Sequence, residues 1–578
     1  MSEPCQKLVS DGGLSFDLTE RPWLPIQRRD GTVAELSLRE VFTQAADVRR
    51  LVGDLPTQEF ALLRLLLAIA HDALDGPRDS EHWGELWADE ECFAPVGGYL
   101  HGHRGRFDLL HPTAPFFQVA GLRTARDEVF SLNRIVADVP NGEPFFSSRM
   151  PTVSRLGFAE AARWIVHAHA FDTSGIKSGV DGDERVKGGK VYPLGVGWAG
   201  TLGGVFAEGR TLRETLLLNL VGADTATMRF SEDDRPAWDR EHCGPGASEP
   251  RRPSGVKDLY TWQTRRLRLH FDAEGAHGVV LGYGDPLTAH NMNASEPMTG
   301  WRRSQAQEKK RGEARVYLPR EHDPARSAWR GLASLIATRA ETTQGAEAAP
   351  YLRPGILEWI ARLVTEGELP RGFLIRARVI GAAYGTQQSV VDEIVDDRLA
   401  MDVVLLHERD RVYAQEAMDA VRDAEDAVTA LGDLATDLAR AAGAETEGPR
   451  ATARDLGFAA LDGPYRTWLL ELTEAGDAFE QRGVWQRDVY RIIARLGDRL
   501  MADAGDAAWE GRVLASKKGT LWLNSGLADK WFRGRLRKAL SDPFSAPPPD
   551  GGPPAARPPD TDPAPGTAPS ALSPKVPA

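Results

Sequence analysis

The sequence predicts an α+β protein: a large mixed N-terminal domain over 1–406, a C-terminal four-helix bundle over 407–541 and a disordered, proline-rich tail over 542–578. Three observations carry this. Ala417, Val421, Ala424, Val428, Leu431, Leu434 and Leu438 recur at spacings of three and four, the single apolar stripe of a long helix. Upstream, short alternating segments at 23–27 and 33–36 flank a turn signal. From Asp542 onward, DPFSAPPPDGGPPAARPPDTDPAPGTAPSALSPKVPA has almost nothing to bury, and proline removes backbone donors. At 578 residues the chain exceeds one compact core, so two or more domains are expected.

The elements follow in order. Arg29-Asp30-Gly31 closes the first hairpin, and Ser37 with Glu40 forms a capping box that opens a helix. Residues 60–74 form a buried helix; its apolar run is broken by Arg64 and is too short to cross a bilayer. Residues 172–209 are a glycine-rich stretch with little helical pattern. Strands are expected at 267–271 and 278–281, and helices at 326–340 and 356–364. A polar loop at Gln387-Gln388 precedes an expected helix carrying Val390, Val391 and Ile394. In the bundle, Gly443, Gly448 and Pro449 break the first helix. Tyr465, Leu469 and Leu472 mark a second, Trp485, Val489, Ile492, Leu496 and Leu500 a third, and 527–540 a fourth.

Lys+Arg is 70 against Asp+Glu 83, a formal net charge of −13, which excludes a uniformly basic nucleic-acid coat but not local basic patches. Cys5, Cys92 and Cys243 are far apart and odd in number, so neither a disulfide framework nor a cysteine-rich zinc site is expected. The first residues lack the apolar segment of a secretory signal. A reducing, cytoplasmic location without membrane association is the expectation.

Catalytic signatures are absent. Gly189-Lys190 is followed by valine, and Glu184 stands where a P-loop needs its first glycine. The serine between Gly175 and Gly179 is one place late for a nucleophile elbow, and HExxH does not occur. His101/His103 and His167/His169 lack acidic or cysteine partners at ligand spacing, and i, i+2 residues on a helix do not face one another. No catalytic residue, metal or cofactor is expected.

Lysine is more informative. Only 12 of the 70 basic residues are lysine, yet seven of them fall in three places: Lys177, Lys187 and Lys190; Lys309 and Lys310; Lys517 and Lys518. Segment 301–320 holds seven basic residues against Glu308 and Glu313, and segment 512–538 holds eight against Asp529. Basic clusters beside a glycine-rich stretch, where backbone can approach a ligand closely, point to phosphate binding.

The run from Ser15 to Gly31 (SFDLTERPWLPIQRRDG) followed by LSLREVF at 36–42 resembles the opening of the CasA family, the large subunits of the type I-E CRISPR surveillance complex Cascade. The resemblance continues through HPTAPFFQ at 111–118, the glycine-rich stretch, LRETLLLNL at 212–220, AYGTQQS at 383–389 and the C-terminal helices. It implies a non-catalytic subunit that recognises a short protospacer-adjacent motif in double-stranded DNA from the minor groove and helps open the duplex for R-loop formation. It also implies docking of a helicase-nuclease, and contact with CRISPR guide RNA and with the backbone, small and handle-binding subunits.

By that resemblance a glycine loop lies in 187–200, with Gly188 and Gly189 or Gly195 and Gly197 meeting the groove. A minor groove only about 6 Å wide excludes a Cβ. Lys309 or Lys310 aligns with a lysine finger, with Arg311 as a rival. Gln387 and Gln388 align with a glutamine wedge that props open the base stack. Phe145, Phe146, Ser147 and Ser148 align with a loop holding the RNA handle. The basic helix expected over 512–538 is the candidate nucleic-acid face of the bundle. The alternatives are an architectural subunit that holds guide RNA without reading DNA, and a hydrolase or nuclease with an unrecognised site.

Overall fold

The computed structural model describes residues 9–10, 13–137, 153–225, 228–248, 251–337, 349–407, 411–516 and 519–540. Within them the α+β class holds: a mixed part precedes a helical part, and one continuous apolar core runs through both. The proline-rich segment from 542 lies outside the described residues.

Strand Leu24–Arg28 pairs antiparallel with Val33–Leu36 on one side and Val48–Leu51 on the other. The expected turn closes because the Asp30 carboxylate accepts the Thr32 amide at 2.9 Å and its hydroxyl at 2.7 Å. Gly31 there takes φ +91°, a conformation open to glycine. The capping box is complete. The Ser37 hydroxyl accepts the Glu40 amide, and the Glu40 carboxylate accepts the Ser37 amide, opening helix Leu38–Thr43.

Helix Pro56–Ala73 is buried on nearly every face, packed against helix Phe158–Phe171, helix Val256–Tyr260 and strand Leu374–Tyr384. Arg64, which breaks its apolar run, is wholly buried. Its Nη1 and Nη2 each donate to Glu296 at 2.8 Å. The guanidinium carbon lies 4.5 Å from the Phe60 ring, 4.9 Å from Tyr260 and 5.0 Å from Trp198. The interruption in the hydrophobic pattern is therefore a cross-link of the core.

Strands Gly204–Ala207, Leu374–Tyr384 and Val391–Asp402 form an antiparallel sheet with the second in the middle. This corrects the helix expected around Val390, Val391 and Ile394. Tyr384 pairs with Val391 and Ala382 with Ile394. Apolar spacing there fits either period, and long-range pairing of β-branched residues decides for strand. The strands expected at 267–271 and 278–281 are present and longer, Arg265–Asp272 and Gly275–Tyr283, and they pair antiparallel. Helix Gly355–Glu366 contains the expected 356–364. The expected 326–340 helix is instead two short turns, Ala328–Gly331 and Ala333–Ile336, with 338–348 outside the described residues.

Helix Arg411–Ala442 packs against Glu447–Glu471, Ala478–Ala502 and Ser525–Ala539. Gly443, at φ +74°, follows the end of the first. Gly448 and Pro449 belong to the first turn of the second, where a missing N–H costs nothing. Trp329 joins the two parts: its ring stacks on Tyr465 at 4.5 Å, and its Nε1 donates to Asp462 at 2.9 Å. Arg466 spans Asp462 at 2.9 Å and Asp397 at 3.0 Å.

Candidate nucleic-acid interface

Two elements two hundred residues apart meet at one end of the mixed part. Strands Lys177–Ser178 and Lys190–Val191 form a small antiparallel hairpin. At its tip, the Lys187 and Lys190 amides and carbonyls exchange hydrogen bonds of 2.8 and 3.2 Å around Gly188-Gly189. Both glycines have positive φ, +59° and +77°, as a two-residue hairpin turn of this type requires, and open space surrounds both Cα atoms. Lys187 and Lys190 flank them, exposed.

Gly195 also has positive φ, +112°, and faces open space; its amide donates to Ser174 Oγ at 3.0 Å. Gly197 differs. It is buried with φ −54°, and a Cβ there would lie 2.3 Å from the Ala170 and Phe171 backbone. Its missing side chain lets the stretch pack against the end of helix Phe158–Phe171.

The glutamine turn tops the hairpin of Leu374–Tyr384 and Val391–Asp402. Gln387 and Gln388 both take φ +56°, which costs a non-glycine residue about 1–2 kcal/mol each, and both side chains are exposed. The turn is held by the Gly385 amide donating to Val390 (3.1 Å) and the Gln388 amide donating to Gly385 (2.8 Å). The Ser174 amide then donates to the Gln388 carbonyl at 2.7 Å. That bond, with Tyr384 Oη donating to the Phe171 carbonyl at 2.8 Å, lays the glutamine turn against the glycine stretch. Strain kept at an exposed tip by surrounding bonds is a recurrent mark of functional loops.

The support beneath had no sequence signal. Arg265, on a β-strand and buried, pairs with the Asp172 carboxylate. Its Nη2 donates to the carbonyls of Asp172 (2.9 Å), Thr173 (3.1 Å) and Gly195 (3.1 Å). Lys177 Nζ meets the same carboxylate at 2.6 Å and is buried. Lys177 is therefore part of the support, not of the exposed lysine cluster. Burial alone would raise the Asp172 pKa, but Lys177 and Arg265 hold it below the usual carboxylate range.

Lys309 and Lys310 lie exposed on a separate helix, Gln305–Arg311. Ser304 caps its start and Gly312, at φ +71°, its end. Arg303 Nε donates to Glu308 at 2.7 Å, and His290 Nε2 accepts from Arg252 at 2.9 Å and Arg311 at 3.2 Å. Arg311 is thereby tied to the body. Consecutive helical residues point about 100° apart, so Lys309 and Lys310 address different directions.

The basic helix expected over 512–538 is corrected. Arg512–Ser516 and Gly519–Leu523 form a β-hairpin, and only Ser525–Ala539 is helical. Much of the charge is neutralised. Arg512 caps the Ala441 and Ala442 carbonyls, Arg533 pairs with Asp498 and Asp529, and Arg535 with Asp433 and Asp437. Asp529 lies within the segment, but Asp433, Asp437 and Asp498 lie on other helices, beyond the reach of a local charge count. Lys530, Arg537 and Lys538 are exposed, and Lys517 and Lys518 lie outside the described residues. Phe145, Phe146, Ser147 and Ser148 also lie outside them.

The histidine pairs do not gather ligands. His167 and His169 are buried on helix Phe158–Phe171, bonded to Thr57 Oγ1 (3.0 Å) and the Phe117 carbonyl (2.9 Å). Among the described residues, no three His, Cys, Asp or Glu groups stand where they could share a metal ion. Burial lowers the pKa of His71 and His167 to about 4 and of His169 to about 3. In the unfolded chain these groups bind protons from about pH 6.5, so stability is complete above that pH and is lost as pH falls toward the folded values. We expect the unfolding midpoint to drop between pH 7 and 4.5, by at most about 2–3 kcal/mol per histidine, and His167→Gln to flatten that limb. A midpoint independent of pH over this range contradicts it.

A mixed α+β body packed on long helices presents a glycine turn, a glutamine turn and a lysine-bearing helix at its surface. The model of the family described as CRISPR-associated protein Cse1 matches residues 17–496, and the chain belongs to that family. It is 59% identical to the Cse1 of Thermobifida fusca, whose crystal structure superposes with a TM-score of 0.85 over 91% of this chain and 98% of that one. A CasA/Cse1 protein of Thermus thermophilus is 30% identical over 295 residues, which span 50% of this chain and 55% of that protein. A chain of a CRISPR RNA-guided surveillance complex shares the fold, with a TM-score of 0.60 at 17% identity over 85% of this chain and 99% of its own.

Proposed function

We propose that this chain is a non-catalytic subunit of an RNA-guided CRISPR surveillance complex that reads a short motif in duplex DNA and helps open the duplex beside it. Family membership supports the setting, and the chain of the surveillance complex with the same fold supports assembly with guide RNA and other subunits. The observation that carries the reading is the Ser174–Gln388 hydrogen bond, which sets a strained glutamine turn beside the half-buried, positive-φ Gly195 of the glycine stretch.

Gly188, Gly189 and Gly195 are the glycines able to approach a groove floor, since nothing stands over their Cα atoms. Lys187, Lys190, Lys309 and Lys310 supply cations for phosphates and for minor-groove acceptors. Gln387 and Gln388 hold the opened step, and guide pairing supplies the remaining sequence specificity. Phe145, Phe146, Ser147 and Ser148 contact the RNA handle, and the opened complex recruits a separate helicase-nuclease; both roles rest on the family resemblance.

In the assembled complex, Lys309→Ala/Lys310→Ala is expected to weaken duplex binding and to reduce the slope of log affinity against log salt by up to about 2, leaving assembly with RNA intact. Titrations at four or five salt concentrations measure this. An unchanged affinity and slope removes both lysines from the site.

A further inference from the structure

We propose that Ile176, Tyr192 and Leu194 form an apolar platform on which an unpaired nucleobase stacks beside the glycine turn; this deepens the DNA-reading function proposed above and rests on it. In the small hairpin, Lys177 pairs with Val191, and both side chains are buried. Side chains alternate along a strand, so Ile176 and Tyr192, next in register, fall on the outer face with Ser178 and Lys190. They are 58% and 64% exposed, and Leu194 is 39% exposed. Pro193 biases Tyr192 toward an extended backbone.

The platform has a rigid base. Tyr283 Oη donates to the Gly175 carbonyl at 2.7 Å, and Arg265 grips Thr173 and Gly195 from below. Apolar side chains grouped at the surface inside a polar rim mark a contact site. The rim selects the occupant. Lys190 and Lys187, paired across the glycine turn, put positive charge at one end of the platform, and another edge continues through Gly195 and Ser174 to the glutamine turn. A polyanion presenting a flat apolar face meets both demands, and a base freed from its stack is such a group. Where the glutamine turn holds a step open, the platform receives the base released there.

The test uses the full chain assembled with guide RNA and partner subunits, and DNA carrying 2-aminopurine next to the recognised motif. Stacking quenches this base. Tyr192→Ala is expected to abolish the quenching and weaken binding to a pre-opened bubble by roughly 5- to 150-fold, the range of one lost base–aromatic stack. Tyr192→Phe is expected to retain both. Unchanged quenching and affinity in Tyr192→Ala, while Lys309→Ala/Lys310→Ala still lowers the salt slope, overturns the platform and leaves DNA reading standing. Loss of subunit assembly in Tyr192→Ala with normal DNA affinity in the complexes that form makes the patch a protein interface and also overturns the proposal. Failure of the unaltered complex to bind duplex DNA overturns the underlying reading instead.

Discussion

Arg64→Met lowers the unfolding free energy by about 3–5 kcal/mol, the cost of removing one partner from a buried ion pair. Methionine fills similar volume, so the loss is mainly electrostatic. Glu296 is fully buried and would lose its bidentate partner, keeping only the Met298 amide at 2.8 Å and the Thr299 hydroxyl at 3.1 Å. The three rings around the guanidinium would lose a desolvated cation as well. Adding Glu296→Gln to Arg64→Met is expected to recover much of the loss, because the uncompensated charge is then gone. Denaturant midpoints of the full chain measure both variants. A single variant within about 1 kcal/mol of the natural chain, against the 3–5 kcal/mol expected, would show that Arg64 merely fills space.

The second large effect concerns duplex opening. Unstacking a base step costs a few kcal/mol. Losing a group that offsets about 2 kcal/mol of this slows or weakens R-loop formation roughly 30-fold. Gln387→Gly/Gln388→Gly removes both amides while keeping a backbone compatible with φ +56°, and the anchor from Ser174 falls on the Gln388 main chain, which the substitution retains. Gln387→Ala/Gln388→Ala removes the same amides but, unlike the glycine pair, keeps the backbone strain the glutamines already carry. The two double variants are expected to fail alike on a closed duplex, to bind a pre-opened bubble normally, and to be partly rescued by negative supercoiling. Equal losses on closed and opened DNA would contradict the wedge. Failure of the glycine pair alone would place the effect in the backbone.

Many local features were legible in the chain. Asp30-Gly31, the Ser37/Glu40 box and the stripe from Ala417 to Leu438 each act over a few residues, and each appears where its chemistry demands. The strand at 391–402 has no local signature of its own, because Val391, Ile394 and Val395 suit either period until residues 374–384 pair with them. The hairpin at 512–523 was hidden by its charges. Its alternation puts Leu514, Leu521 and Leu523 on one face and Val513 and Trp522 on the other, a pattern that the interspersed basic residues obscure. Trp522 in this hairpin and Trp509 just before it, 57% and 73% exposed, carry no local signal of exposure.

By itself the sequence determined the α+β class, most of the elements and the family, since these rest on periodicity, capping and residue order within short windows. Only the tertiary structure decided that Arg64 and Lys177 are buried in ion pairs, that Gly197 packs while Gly188, Gly189 and Gly195 stand open, and that Ser174 joins the glycine stretch to Gln388. The reason is range. Arg64 has the same local signature whether it meets water or a carboxylate 232 residues away, and Lys177, though near Asp172 in sequence, is buried only because distant Arg265 and Tyr283 close over it; closing the chain on itself selects between these outcomes.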